Sequence, residues 1–390
     1  MDSIGRRQIF RQGDYAGFYS DNLNVNWKIT SMCNYKCSYC FGQEPINKHT
    51  FSTWEQLQCA ADKIIALNRS GYRFTFTGGE PTIHPHLHKL ICYLSLHLNE
   101  KIEHFNIITN GSRNISYYLR LLDTIGEFKS TFIVSLHTEY ISVSTIVQLI
   151  KNLSHRASLS FSLMANPEKK EHTQELFDIL IALRSKYNFR ITIKELRQPP
   201  HDTIDSRYTA ADFQWIDSAN AIIKNRDSFF APPSSASAKN SGHGLFWDMA
   251  IDGERRIFSG AVSSQIRSNL YEFNDMYCIM GSRVLRIGPD GMCRGAVCSV
   301  SRRSINLFEQ HANLQDTFPF AVVCSYKNCG CVSNHVIPKF KDAVEANVFC
   351  HIFADKVKRS LQLGTKLFPD FSCPGENGLH RASDNIHTTA

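Results

Sequence analysis

The 390-residue sequence has no apolar run approaching the roughly 18 residues needed to cross a bilayer, which excludes a transmembrane helix. Its opening, MDSIGRRQIF, has charge but no apolar h-region, so no export signal is expected. A disulfide framework, which needs an oxidising compartment, is disfavoured with it. Blocks of like charge are missing as well. Lys and Arg outnumber Asp and Glu by 43 to 36, but the net charge of +7 is scattered, as on an ordinary solvated surface, and nucleic acid is not expected as a partner. No internal repeat is evident. What is left is a globular chain with 43% hydrophobic residues, expected to be cytoplasmic and long enough for a barrel-sized domain plus a smaller one.

Cysteine, by contrast, is plentiful. Thirteen cysteines are grouped towards the two ends of the chain, too many to be only core fillers, although Cys59 and Cys92 fall in helical patterns and read as small hydrophobes. Cys33, Cys37 and Cys40 form a C-x3-C-x2-C run directly after an alternating segment of Leu23, Val25, Trp27 and Ile29. Each thiolate can fill one iron corner of a cubane, so three of them leave one iron open for a substrate ligand. A structural zinc site would want a fourth Cys or His at paired spacing, and only His49 is near.

Residues 23–197 alternate strand-like and helix-like stretches. Strands are expected at 23–30, 73–77, 104–109, 132–137, 159–165 and 190–197, with helices near 53–68, 86–99, 114–125, 141–153 and 171–187. Ser52 and Glu55 read as a capping box on the first helix, ahead of an apolar stripe of Trp54, Leu57, Ala60, Ile64 and Leu67. Six strands with intervening helices imply a parallel sheet, too few to close, hence an open (β/α)6 partial TIM barrel. Ligands of such sheets collect at the carboxyl ends of the strands. Thr77-Gly78-Gly79-Glu80-Pro81 and Thr109-Asn110-Gly111 follow two of these strands, and Ser135 and His137 alternate on one face of a third.

The cysteine loop followed by Gly78-Gly79-Glu80 resembles the signature of the radical S-adenosylmethionine (SAM) superfamily, over residues 23–197 or so. The resemblance implies a [4Fe–4S] cluster on Cys33, Cys37 and Cys40, whose open iron binds SAM. It implies reductive cleavage of SAM to a 5′-deoxyadenosyl radical that takes a substrate hydrogen, with electrons from a donor such as flavodoxin or ferredoxin. Gly78, Gly79 and Glu80 would hold the SAM amino group, Tyr39 would lie near adenine, and Asn110, Ser135 and His137 would border SAM or the substrate. Met164, Asn166 and Glu195 end later strands and are further candidates.

Pro199-Pro200 closes this unit. A helix is expected at 208–224, a polar linker at 232–244 and a hairpin around Asp252-Gly253. The expected units are a 1–22 extension, a 23–200 barrel, a 201–265 linker region, a 266–350 cysteine-rich region and a 351–390 helix and tail. Cys278, Gly288 and Cys293 follow C-x9-G-x4-C, which is similar to the start of the family's SPASM and twitch extensions, with Asp290-Gly291 as the hairpin turn. Cys324, Cys329 and Cys331 would complete an auxiliary [4Fe–4S] cluster. The full SPASM pattern is not present, which favours one twitch-like cluster. Cys298, Cys350 and Cys373 keep two clusters open, and a zinc site on four thiolates is also open.

Two substrate classes fit the resemblance. One is a ribosomal peptide that is crosslinked or epimerised, although residues 1–22 are too few for a separate peptide-recognition domain. The other is a small polar molecule, a sugar, polyol or aminocyclitol, that is dehydrogenated. A third reading of another class is a non-catalytic iron–sulfur or zinc scaffold.

Overall fold

The computed structural model describes residues 8–11, 22–40, 51–198, 203–227, 246–251, 254–259, 273–298, 300–326 and 337–362. After β1 (Gln8–Arg11), strands and helices alternate: β2 (Leu23–Thr30), α1 (Trp54–Ile65), β3 (Tyr72–Gly78), α2 (Leu87–Leu98), β4 (Ile102–Thr109) and α3 (Ile115–Ile125). They continue with β5 (Ser130–Leu136), α4 (Val143–Leu153), β6 (Ser158–Ala165), α5 (Lys170–Leu183) and β7 (Arg190–Glu195). β2 to β7 are parallel and lie side by side in chain order, as the alternation predicts. The result is a mixed α/β fold on a largely parallel sheet.

One face of this sheet is sealed by the helices. Leu23, Val25, Trp27, Phe74, Phe76, Phe105 and Phe132 are buried there together with Leu57, Ile64, Leu90, Leu121 and Leu149 of the helices. Tyr72, Phe74, Phe76 and Phe105 stack at ring-centroid distances of 5.9–6.3 Å, a large apolar contact at the sheet centre. The alternate residues form an inner face that is polar: Asn26 and Lys28, Thr75 and Thr77, Asn106, Ser135, Ser160 and Ser162, Thr192 and Lys194.

Local signals shift in two places. The capping box of α1 is Thr53 with Gln56, one residue later than expected. Ser52 is buried and its hydroxyl donates to the Pro289 carbonyl at 3.0 Å, so it is used for tertiary contact and the cap falls to its neighbour. The strand expected to reach residue 197 stops at Glu195, because the Leu196 amide donates to Tyr208 Oη and its carbonyl accepts from the Asp205 amide. β8 (Arg197–Gln198) then pairs with β9 (Thr203–Ile204), ahead of α6 (Ala210–Asp227). The 232–244 linker lies outside the described residues.

β10 (Phe246–Ile251) and β11 (Glu254–Ser259) are antiparallel, as the expected hairpin requires, and β1 adds to β10; Asp252-Gly253 lies outside the described residues. Next come β12 (Tyr277–Met280), β13 (Val284–Ile287), β14 (Met292–Arg294) and β15 (Ser304–Asn306). α7 (Leu314–Thr317), β16 (Phe320–Val323), β17 (Lys339–Phe340) and α8 (Ala343–Gln362) follow. β13 pairs in parallel with β2, Leu285 level with Val25, so the C-terminal segment extends the barrel sheet to nine strands in the order β15-β14-β13-β2-β3-β4-β5-β6-β7. β16 and β17 flank β12 in a separate sheet, against which α8 packs. The division expected at residue 350 falls inside α8.

Phe74 is fully buried among three other rings, so Phe74→Ala should cost about 3–5 kcal/mol of stability. The urea midpoint of the full chain, read by circular dichroism, measures it; an unchanged midpoint would place the core elsewhere.

Candidate active site

The carboxyl ends of β2, β3, β4 and β5 meet around the cysteine loop. The β3 strand runs into Gly78-Gly79, which pass so close to the start of that loop that only glycine fits. A Cβ on Gly78, at φ +151°, would lie 2.1 Å from the Thr30 carbonyl oxygen, and one on Gly79 would lie 2.1 Å from that of Met32. The Gly79 amide donates to Thr30 O at 2.9 Å and the Glu80 amide to Met32 O at 2.8 Å. The two glycines thus fasten the cysteine loop to the neighbouring strand end.

Glu80 turns inward and is fully buried. Its Oε1 accepts from the Thr82 amide (3.0 Å), Thr82 Oγ1 (2.6 Å) and Thr109 Oγ1 (2.8 Å), and its Oε2 from the Asn110 amide (2.6 Å). Burial raises its pKa, and these hydrogen bonds oppose the rise. The family resemblance implies that this carboxylate meets the SAM ammonium; here both oxygens are engaged by the chain, and they hold Thr109-Asn110 in place. Asn110 in turn reaches the loop, with Nδ2 3.0 Å from Asn34 Oδ1 and 3.8 Å from Cys33 Sγ. Asn34 also donates to Ser112 Oγ at 2.9 Å.

The far side of the loop is held by the segment after β5, a contact the sequence reading missed. Ser38 donates twice to Glu139, from its amide (3.1 Å) and its hydroxyl (2.5 Å), and the Lys36 amide donates to Tyr140 Oη at 3.2 Å. Tyr39 stacks on His137, with Oη 2.9 Å from Nδ1, and Tyr35 stacks on Tyr140 at 4.4 Å. The polar and aromatic run from His137 to Tyr140 at a strand end was the available signal. Ser135 lies on the inner face, level with Ser162 of β6.

Cys37 is buried, while Cys33 and Cys40 reach the surface. Burial pushes the Cys37 thiol up to about 12, aided by the charges of Glu139, Cys40 and Cys33; burial likewise raises Cys33. Three thiolates this close repel each other, and a metal centre supplies the positive charge that reverses the penalty. Among the described residues no three His, Cys, Asp or Glu side chains converge on a point that fits one metal ion. A cubane asks for less, since each of its irons takes its own thiolate. The donor set therefore fits an iron–sulfur cluster with one open corner.

Asn166 serves a turn, its Oδ1 accepting from the Glu168 amide at 2.9 Å, and with Lys170, Tyr208, Asp212 and Trp215 it lines a cleft of about 180 Å³ at the end of β6. Of the C-terminal cysteines, Cys278 on β12 and Cys298 share an apolar cluster, and Cys324 follows β16, whose Val322 is level with Cys278. Cys293, on the β13–β14 hairpin that turns at Asp290-Gly291 with Gly291 at φ +81°, is buried in the main core, which raises its pKa. Cys329, Cys331 and Cys373 lie outside the described residues. Cys350 is half-buried on α8. Cys59, half-buried on α1, accepts from Lys63 Nζ at 2.8 Å, a polar contact for a residue expected to serve only as apolar filling.

Residues 27–152 match the model of the Radical SAM superfamily. The chain carries a domain of that superfamily, and its cofactors are a [4Fe–4S] cluster and SAM. Over 112 residues it is 35% identical to GTP 3′,8-cyclase of Peptoclostridium acidaminophilum, covering 28% of this chain and 33% of that protein. It is 28% identical over 128 residues to the S-adenosylmethionine-dependent nucleotide dehydratase of Selenomonas ruminantium, covering 32% and 42%. The match therefore spans between a third and a half of these curated relatives. Among solved structures, native anSMEcpe with bound AdoMet shares the fold over 88% of this chain and 98% of that one, with a TM-score of 0.51 at 13% identity. No described helix is long and apolar enough to cross a membrane.

Two outcomes follow. Glu80→Ala leaves the Thr82 amide and hydroxyl and the Asn110 amide without their acceptor, Thr109 Oγ1 keeping Tyr118 Oη at 3.1 Å, so the unfolding free energy should fall by about 3 kcal/mol in guanidinium titration of the metal-free chain. No change would mean that the network is dispensable. His84, in the turn after Glu80, is buried edge-on to Phe51 with Nε2 unpartnered, and burial lowers its pKa to about 4. The unfolded chain takes up this proton first, so stability should fall as pH drops from about 6.5 towards 4, by up to about 3 kcal/mol. Chemical denaturation across that range should show a shallower slope for His84→Phe than for the parent.

Proposed function

We propose that this chain is a radical SAM oxidoreductase: it cleaves SAM reductively and uses the 5′-deoxyadenosyl radical to remove a hydrogen from its substrate. The observation that carries this is the cysteine loop fastened on one side to Gly79, Glu80 and Asn110 and on the other to His137, Glu139 and Tyr140. When bound, the cluster supplies one electron and an open iron for the amino and carboxylate groups of SAM. Cys33, Cys37 and Cys40 would hold it. Glu80 keeps Asn110 against the loop, and the stacked Tyr39 and His137 offer an aromatic wall suited to a nucleoside. The helices close the opposite face of the sheet, so radical chemistry is confined to the inner face, where competing hydrogen donors can be excluded.

The substrate reading is a ribosomal peptide that is crosslinked or epimerised, supported by the C-x9-G-x4-C pattern and by the gathering of Cys278, Cys298 and Cys324 around β12. Cys278, Cys293, Cys324, Cys329 and Cys331 are the proposed auxiliary-cluster ligands, and a flavodoxin or ferredoxin the proposed electron donor, in the cytoplasm. A second reading, a small polar substrate, is favoured by the polar inner face and by curated relatives named for GTP and nucleotides.

Anaerobically reconstituted protein should carry about eight irons per chain, two cubanes, and convert SAM to 5′-deoxyadenosine when dithionite is added. Replacing Cys33, Cys37 and Cys40 together with Ala should leave about four irons and abolish that conversion. Iron near zero in the triple variant would remove the auxiliary cluster; SAM left intact by the loaded parent would remove the radical reading.

A further inference from the structure

Among the described residues, one cation on the inner face of the barrel has no ion-pair or hydrogen-bond partner. In the six strands β2 to β7 the cationic side chains are Lys28, Arg73, Arg190 and Lys194, against two carboxylates, Glu103 and Glu195. Glu103 is bound to Arg73 at 2.6 Å, and Glu195, next in the strand to Lys194, alternates to the other face. Lys28, Arg73 and Arg190 have interactions within the chain. Lys194 forms no hydrogen bond or ion pair among the described residues; part of the side chain is exposed, while the surrounding protein lowers its pKa.

Its place in the register is informative. Ser135 is level with Ser162, and Ser162 with Thr192; one pair further along, Met164 is level with Lys194. His137 follows β5 on the same row; burial lowers its pKa, Glu139 opposes the fall, and the charge of Lys194 adds to it. Lys194 therefore stands at the carboxyl end of the sheet, across from the Tyr39–His137 stack, on β7, whereas the residues that fasten the cysteine loop come from β3, β4 and the β5 loop. A partly screened cation without a partner at the ligand-collecting end of a polar sheet face selects an acceptor-rich anion.

We infer that Lys194 is the substrate anchor of this site, binding a phosphate or carboxylate carried by the substrate. The inference rests on the radical SAM reading and deepens it: substrates of this chain are anionic, and uncharged sugars, polyols and cyclitols are poor ones. Lysine, as a point charge, suits either anion.

The test uses the full-length reconstituted chain and needs neither an electron nor SAM cleavage. Pyridoxal 5′-phosphate is an anionic aldehyde whose imine with lysine can be fixed by borohydride and mapped by mass spectrometry. Lys194 should be labelled ahead of the other lysines, and faster by pyridoxal 5′-phosphate than by pyridoxal, which lacks the phosphate. Pyrophosphate or citrate at about four times its Kd should cut the label at Lys194 about fivefold, as occupancy dictates, while glycerol should not. Protection by pyrophosphate alone assigns a phosphate, and by citrate alone a carboxylate. Equal labelling by the two aldehydes, or protection by neither anion, overturns the site. Protection by SAM alone reassigns the anion to the SAM carboxylate and overturns the substrate anchor. Failure of the dithionite assay would instead sink the radical reading and leave the labelling result standing.

Discussion

The carboxylate of Glu80 is the constraint on which the site depends. Burying a carboxyl group is costly, and four donors from Thr82, Thr109 and Asn110 that converge on its two oxygens offset part of that cost. Those donors belong to the turn after β3 and to the end of β4, so one side chain fixes two strand ends relative to each other. The cysteine loop is then positioned against that rigid unit by backbone bonds from Gly79 and Glu80 and by the Asn110 amide group. A loop that must present three thiolates in a set arrangement is thereby denied most of its conformational freedom before any metal arrives.

Electrostatics adds a second condition. The thiols of Cys33 and Cys37 are pushed up by burial and by neighbouring negative charge, with Glu139 foremost among the charges acting on Cys37. Glu139 also anchors the loop through Ser38. The same residue therefore holds the loop in shape and disfavours its charged, metal-free form, so the assembled site is at ease only with positive charge at its centre.

Much of this was legible because two periodicities coincide with two environments. Alternation in β2 and β3 marks the helix-covered face by Val25, Trp27, Phe74 and Phe76 and leaves a polar inner face, and Gly78-Gly79 and Asn110 announce themselves as residues at strand ends. What was not legible depends on partners distant in sequence. Ser52 looked like a helix cap until Pro289 claimed its hydroxyl. Leu196 looked like strand until Tyr208 claimed its amide. Glu139 and Tyr140 could be recognised as anchors only once β5 brought them beside Ser38 and Lys36, and Lys194 stood out only when none of the described residues proved to pair with it.

The parallel pairing of β13 with β2 has a consequence for how this chain reaches its native state. Asn24 bonds to Arg283 across 259 residues, so one side of the strand that leads into the cysteine loop stays unpaired until β13, which ends at residue 287 of 390, has been made. Such a long closure adds little to the equilibrium cost, since each doubling of loop length adds only about 0.6 kcal/mol, but it delays completion of the sheet. During synthesis β2 presents an open, apolar edge of the kind that invites pairing with other chains. The step that seals this edge also brings in the hairpin carrying Cys293, so protection against aggregation and delivery of a C-terminal cysteine to the barrel are one folding event.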